Sequence, residues 1–254
     1  MKIVILAGGL PSKLIEEDEK IPKPMAEIGG RPILWHIMKQ YAHYGYNDFI
    51  ICGGYKVDMI KQYFMNYYIY QSDITIDLQS NDITVHRKKT EDWKVTVVDT
   101  GFASSIPQRL AMIHEYIDGE NFVVSYGDCV SDINVRDLVH FHNEHHQVAT
   151  IAVARPIGRN EIMPIVEEKF SYEDFEAENA WVNACNMVFT REIYDYLDKN
   201  MLFDNQMISS ILEANVAIPY IHQGFWSPME TVRDKTYLQT LWDEKKAPWK
   251  VWND

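Results

Sequence analysis

Lys2-Ile3-Val4-Ile5-Leu6-Ala7, closed by Gly8-Gly9, is the stretch that decides the fold. A short, almost unbroken apolar run ended by glycines reads as a buried strand, the habit of parallel sheets. Working outward, Pro32 stands where a helix can open. Ile33, Leu34, Ile37, Met38 and Tyr41 follow as an apolar stripe at helical spacing. Residues 48–52 form a second strand, closed by Gly53-Gly54. Val57, Ile60, Tyr63, Phe64 and Tyr67 mark a second helix, whose aromatics read as core packing rather than a ligand platform. Residues 121–125 are a central strand running into Tyr126-Gly127-Asp128. Residues 148–154 are another strand, 218–222 a late edge strand, and 231–244 a closing helix. This alternation predicts an α/β fold around a mostly parallel central sheet. Alternating segments at 74–76, 83–85 and 94–98 read as β-hairpins inserted into that frame. Irregular strands are expected between 155 and 187.

The chain has 254 residues, 46% hydrophobic and 24% charged, an ordinary balance for a soluble globular protein. A single domain over 1–254 can bury roughly three quarters of its unfolded surface, so the core needs no disulfide or metal. No apolar run approaches the ~20 residues of a membrane span, and the opening is too short for a signal peptide. Cys52, Cys129 and Cys185 are scattered, with no C-x-x-C pair, which points to a reducing cytoplasm. The net charge of −13 argues against a nucleic-acid surface. An anionic ligand would need local cations or a metal against that field.

Ligands of open parallel sheets bind beyond the carboxyl ends of the strands. At the first such end, Leu6, Ala7, Gly8 and Gly9 leave backbone N–H groups open to phosphate oxygens; a plain tight turn is the other reading. The run is neither G-x-G-x-x-G nor G-x-x-x-x-G-K-[ST], which tells against dinucleotide and P-loop sites. At the second, Asp128 beside Gly127 is either a Mg²⁺ ligand or a turn cap. Asp132 and Asn134 are candidate caps for a helix from Val135. His140, His142, His145 and His146 form a cluster that reads as a solvated helix end rather than a zinc site, with no cysteine or obvious acidic partner nearby. No G-x-S-x-G and no Cys/His pairing points to nucleophilic catalysis.

Met1 to Leu10 followed by Pro22-Lys23-Pro24-Met25 resembles the opening of a sugar-1-phosphate nucleotidyltransferase. Ile28-Gly29-Gly30-Arg31-Pro32, Trp93 to Gly101, Gly224-Phe225-Trp226-Ser227-Pro228-Met229-Glu230-Thr231 and Lys246-Ala247-Pro248-Trp249-Lys250 resemble the glucose-1-phosphate cytidylyltransferase branch across essentially the whole chain. The resemblance implies a Rossmann-like nucleotidyltransferase fold. It further implies Mg²⁺-dependent transfer from CTP to a phosphorylated small-molecule acceptor with release of pyrophosphate, in cell-surface polysaccharide biosynthesis, by a homo-oligomer; the charge and the lack of an apolar span add no nucleic acid and no membrane as partners. Such transfer asks mainly for positioning and charge neutralisation. By the resemblance, Lys13, Lys23 and Arg109 are catalytic or phosphate-side cations. Leu6, Ala7, Gly8, Gly9, Glu27, Gln108 and Gly127 border the nucleotide, Asn183 and Arg159 the acceptor, and Asp128 and Glu230 hold the metal.

Departures from the family pattern gather at ligand-facing positions. Pro11-Ser12-Lys13 replaces Gly-Thr-Arg, so an N–H and a bidentate fork are lost. Ile106-Pro107-Gln108-Arg109 replaces Thr-Gly-Gly-Arg, and Cys129 replaces a glycine. Glu230 stands for an aspartate, and Gln206-Met207-Ile208 for Glu-Pro-Leu. The acceptor lysine of Glu-Lys-Pro has no counterpart in 175–179, with Arg155 and Arg159 the nearest cations to take its place. Ala184-Cys185 replaces two glycines, which predicts crowding of a hexose and poor use of glucose 1-phosphate. Two readings follow: a site refitted for another phosphorylated acceptor, or a catalytically silent paralogue that binds a ligand or partner.

Overall fold

The computed structural model describes residues 1–9, 21–87, 90–156, 163, 165–166, 169–170, 180–198 and 200–253. The loop with Pro11 and Lys13, the acidic run 16–19, Arg159 and the 175–179 segment lie outside the described residues.

Seven strands form one sheet: β1 (Lys2–Ala7), β2 (Asp48–Gly53), β3 (Lys94–Asp99), β4 (Asn121–Tyr126), β5 (Ala149–Ala154), β6 (Val182–Thr190) and β7 (Ala217–Ile221). Their spatial order is β7-β5-β6-β4-β1-β2-β3. Only β6 runs antiparallel to its neighbours, so the sheet is mostly parallel. The helices are α1 (Ile33–His43), α2 (Val57–Met65), α3 (Tyr67–Tyr70), α4 (Ile106–Met112), α5 (Val135–His145), α6 (Asp204–Glu213) and α7 (Val232–Asp243).

The central strands read as continuous apolar runs because both faces are covered. Ile3 and Ile5 point into a core shared with α1, α5 and α7, while Val4 and Leu6 point into one shared with α4 and α6. Ile3, Val4 and Ile5 are fully buried, each worth about 1.5–3 kcal/mol. The carboxyl-terminal stretch is pinned through Trp249, whose indole N–H donates to His36 Nδ1 at 3.4 Å, while His36 Nε2 lies 2.8 Å from the Ile28 carbonyl. A proton on Nε2 satisfies both bonds. Burial pulls the His36 pKa down to about 4, so the ring stays neutral.

Three expectations need correction. Residues 94–98 are not part of a hairpin. They belong to β3, paired in parallel with β2 (Phe49 with Val95, Ile51 with Val97). An edge strand is half-buried and therefore shows the same two-residue alternation as a hairpin arm. The inserted hairpin is Asp73–Asp77 with Asp82–Arg87 alone. The histidine cluster is not a solvated helix end throughout: His142 is buried, with Nδ1 2.9 Å from Thr150 Oγ1, and burial lowers its pKa to about 4. His140 does have an acidic partner, Glu144, at 3.3 Å one turn on. Among the described residues no cluster of three or more His, Cys, Asp or Glu is arranged to hold a metal. Lastly, Asn134 caps α5 through Oδ1, accepting from Arg136 and Asp137 N–H, whereas Asp132 lies 2.9 Å from His222 Nε2.

Candidate active site

The carboxyl ends of β1 and β4 and the loop after β3 open into a cleft of about 620 Å³. Its floor begins where β1 runs out at Gly8 and Gly9. One wall is the single 3-10 turn Lys23–Met25, stiffened by Pro22 and Pro24 on either side of the lysine. The opposite wall is the turn after β4. There Asp128 enters a short antiparallel ladder, Cys129–Ser131 with Trp226–Pro228. The Met229 N–H donates to the Asp128 carbonyl at 2.7 Å, which brings Glu230, about 100 residues away in sequence, to the same rim. Both carboxylates line the cleft.

Lys23 Nζ lies 3.3 Å from Asp128 Oδ2, and each side chain keeps about a quarter of its surface exposed. Burial pushes the Asp128 pKa up, and the lysine opposes that rise through charge and hydrogen bond. A paired cation and carboxylate at the mouth of a glycine turn can neutralise phosphate charge on one side and hold a hard cation on the other.

Arg109 is the least expected feature. Ser105 opens α4 with a capping box in which the Ser105 hydroxyl accepts from the Gln108 N–H and the Gln108 side chain accepts from the Ser105 N–H. One residue on, the Arg109 side chain is 3% exposed. Its Nη1 donates to Thr100 Oγ1 at 2.5 Å and to the Gly53 carbonyl at 3.3 Å. A Cβ on Gly8 would overlap the guanidinium, and one on Gly54 would stand 3.2 Å from Nη1. Gly8 is bare because a buried cation lies against it. Burial lowers the Arg109 pKa, with Cys52, Asp204 and Asp99 opposing, yet a guanidinium stays charged.

The cleft thus gathers Leu6, Ala7, Gly8, Gly9, Lys23, Arg109, Asp128 and Glu230. Four further expected residues are described but are not among those that line it. Glu27 is exposed on the two-residue strand Glu27–Ile28. The Gln108 side chain is the helix cap already described. Gly127 lies at the rim itself, between Tyr126 and Asp128: its N–H donates to the Leu6 carbonyl at 3.0 Å, extending the β4–β1 pairing, and a Cβ there would meet Leu6, Ala7 and Pro24. Asn183 Oδ1 accepts from the Cys185 N–H at 2.8 Å. Lys13 and Arg159 fall outside the described residues. Ala184 and Cys185 are buried, Cys185 beside Cys129 and within electrostatic reach of Asp128 and Glu230, and neither lines the cleft. Cys185 does keep a left-handed φ of 66°, a conformation that suits glycine.

Sequence reading passed over the lip. Phe102, Leu202 and Phe203 line the cleft yet are 49%, 65% and 66% exposed, so they present apolar surface to whatever enters. Their two loops are tied together by Ser105 Oγ to the Met201 carbonyl and the Ile106 N–H to Asp204 Oδ1, both at 2.6 Å. The Ser105–Gln108 capping spacing was the readable signal; the long-range partner at 204 had none.

The sequence pattern of the nucleotidyl transferase family matches residues 2–161. The chain is 42% identical to the glucose-1-phosphate cytidylyltransferase of Salmonella typhi over 99% of its own length and 100% of that protein's. The chain belongs to the nucleotidyltransferase family. It is an enzyme of the nucleotidyl-transfer class, and its Rossmann-like α/β sheet is that of solved members. A mannose-1-phosphate guanyltransferase of Pichia angusta is 22% identical over 95% of this nucleotidyltransferase and 63% of its own length. The inositol-1-phosphate CTP transferase of T. maritima superposes with a TM-score of 0.71 at 12% identity, covering 98% of this chain and 96% of that one. The UDP-glucose pyrophosphorylase complexed with UDP-glucose gives 0.70 at 15%, covering 96% and 98%. At those identities the likeness is one of fold.

Proposed function

We propose that this nucleotidyltransferase is a Mg²⁺-dependent cytidylyltransferase that uses CTP to activate a phosphorylated small molecule, a sugar phosphate or related phosphate, and releases pyrophosphate. The observation that carries the reading is the Lys23–Asp128 pair beside Gly8-Gly9, with Glu230 brought to the same rim. A phosphate oxygen of the acceptor attacks the α-phosphorus of CTP. The new O–P bond forms as the bond from the α-phosphorus to the bridging oxygen breaks, and pyrophosphate leaves with that electron pair. Lys23 neutralises phosphate charge, the Gly8-Gly9 backbone N–H groups face the triphosphate, and Arg109 adds a buried positive charge against that turn.

Asp128 and Glu230 fit Mg²⁺: two hard carboxylates suit an ion that completes its shell with substrate phosphates and water. When bound, the ion supplies further neutralisation of the triphosphate. A homo-oligomer in a reducing cytoplasm, serving cell-surface polysaccharide synthesis, is the setting proposed. Two features support parts of it. Ile76, Leu78 and Ile83 of the inserted hairpin stand 51%, 85% and 53% exposed, more apolar surface than an isolated two-stranded ribbon bears easily. Cys52, Cys129 and Cys185 are all free thiols. No helix among the described residues is long and apolar enough to cross a membrane.

The test is pyrophosphate release from each of four nucleoside triphosphates against a panel of phosphorylated acceptors, glucose 1-phosphate included. CTP should be preferred. Glucose 1-phosphate should be poor, since no lysine is present between Lys169 and Lys199. A kcat/KM for glucose 1-phosphate of about 10⁴ M⁻¹s⁻¹ or more overturns the altered-acceptor reading. A silent paralogue would bind CTP and release nothing.

A further inference from the structure

The carboxyl end of β5 carries a cation that the cleft does not use. Arg155 follows Ala154, is exposed, and places its guanidinium carbon 4.1 Å from the centre of the Trp181 ring. Its Nη1 donates to the Ala180 carbonyl at 3.2 Å. Its own carbonyl accepts the Trp226 indole N–H at 3.0 Å. Backbone and side chain are thus each fixed by a tryptophan. A guanidinium has five N–H donors, and this bond spends one. Among the described residues no carboxylate forms an ion pair with it. A cation laid over an indole has already lost much of its rotamer freedom, so little entropy is left to lose when a ligand arrives.

The position follows from the topology. β5 runs parallel to β1 and β4, with antiparallel β6 between β4 and β5. Arg155 therefore lies along the same sheet end as Gly8 and Asp128, two strand spacings from the latter, roughly 10 Å. Trp226 belongs to the ladder that carries the Asp128 and Glu230 segments together. Ala154 pairs with Val182, the neighbour of Asn183. The nucleotide cleft is bounded by β1, β4 and the loop after β3, so the β5–β6 end is the side left for an acceptor.

We propose that Arg155, held on Trp181, is an oxyanion anchor on the acceptor side, taking a phosphate or carboxylate group through the N–H groups that bond nothing else among the described residues. A planar fork matches either group with two parallel hydrogen bonds. The word acceptor rests on the cytidylyl-transfer reading; the anchor rests on the geometry. The oxyanion is either the reacting phosphate or a second acid group elsewhere on the same molecule.

The experiment follows the Trp181 indole N–H signal by NMR in the full-length protein, assigned by its loss in Trp181→Phe, during separate titrations with inorganic phosphate and acetate. The signal should shift saturably. Arg155→Gln should weaken that titration at least tenfold, in keeping with a lost charge-assisted pair. Arg155→Lys should recover only part of it, because the charge returns without the fork. A response to phosphate alone assigns the anchor to the reacting phosphate; a response to acetate as well assigns it to a carboxylate. Calorimetry of CTP with Mg²⁺ should give the same affinity in Arg155→Gln as in the wild type, which also shows that the variant is folded. The proposal falls if neither anion moves the Trp181 signal, or if Arg155→Gln titrates like the wild type. Failure of CTP to bind the wild type would overturn the cytidylyl reading instead, and the Trp181 titration would still decide the anchor.

Discussion

Gly8→Ala separates two accounts of the same glycine. If Gly8 is bare so that phosphate can approach its backbone, alanine should weaken CTP binding and leave the apo fold intact. The structure demands more: the new methyl group lands on the Arg109 guanidinium, which is walled in by Thr100, Gly53 and Gly54. Displacing it loses the bond to Thr100 Oγ1, about 1.5–3 kcal/mol for a charged donor, and overpacks a closed site at about 1–3 kcal/mol. The loss is about 2.5–6 kcal/mol, a large part of the ~5–15 kcal/mol that holds a domain together. Urea unfolding of the apo protein, followed by tryptophan fluorescence, measures it. The decisive step is a double-mutant cycle. Once Arg109→Ala has removed the guanidinium, Gly8→Ala should cost little further, so the two single losses should exceed the double loss by about 2 kcal/mol or more. Additive losses, or a Gly8→Ala midpoint equal to wild type, would refute the packing account.

Lys23→Ala should lower CTP affinity or turnover tenfold or more, since it removes the cation nearest the proposed metal carboxylate; wild-type kinetics would remove Lys23 from the site. His142 is held near pKa 4 in the fold against about 6.5 unfolded. The unfolded chain therefore binds more protons between those values, and this contribution is whole above pH 6.5 and lost as pH falls toward 4. About 3 kcal/mol is at stake, and His142→Gln should flatten the urea midpoint between pH 7 and 4.5 relative to wild type; an unchanged slope counts against it. Tyr41→Phe removes the 2.5 Å donor to buried Asn186 Oδ1 and should cost about 1–3 kcal/mol, measured by thermal or urea unfolding, with no loss marking the bond as idle.

What was legible in the sequence was whatever is written locally. Residues 3–7 announce a strand because every position is apolar enough to be buried on either face. The Ser105-x-x-Gln108 cap is just as local, but the family position of Gln108 hides it behind an expected nucleotide contact. Asp128 and Lys23 each sit beside glycine or proline punctuation that fixes the backbone around them. The misreadings have one cause. β3 and a hairpin arm share a two-residue period, and only the partner strand tells them apart. His142 looked solvated because the residues that follow it, Asn143-Glu144-His145-His146, are polar, while its hydrogen-bond partner, Thr150, belongs to the next strand.

Arg109 carries that lesson into the site itself. Read along the chain, an arginine at the family's phosphate-side position in an acidic protein is a ligand contact. Read in space, its bonded partners are Gly53 at the end of β2 and Thr100 at the end of β3, and the close neighbours Gly8 and Gly54 supply room rather than bonds. Strand ends far apart in sequence must converge before the side chain has a place to lie, so no local pattern could foretell its burial. Such a cation need not touch phosphate to matter. Beneath a turn that lines the cleft, in surroundings poorer than water at screening charge, it raises the local potential where a net charge of −13 would otherwise repel a triphosphate. Arg109→Gln keeps a side chain that can still hydrogen-bond Thr100 but discharges it. Its CTP affinity should fall most at low ionic strength and converge toward wild type as salt rises; a loss independent of salt would mean that Arg109 acts through packing alone.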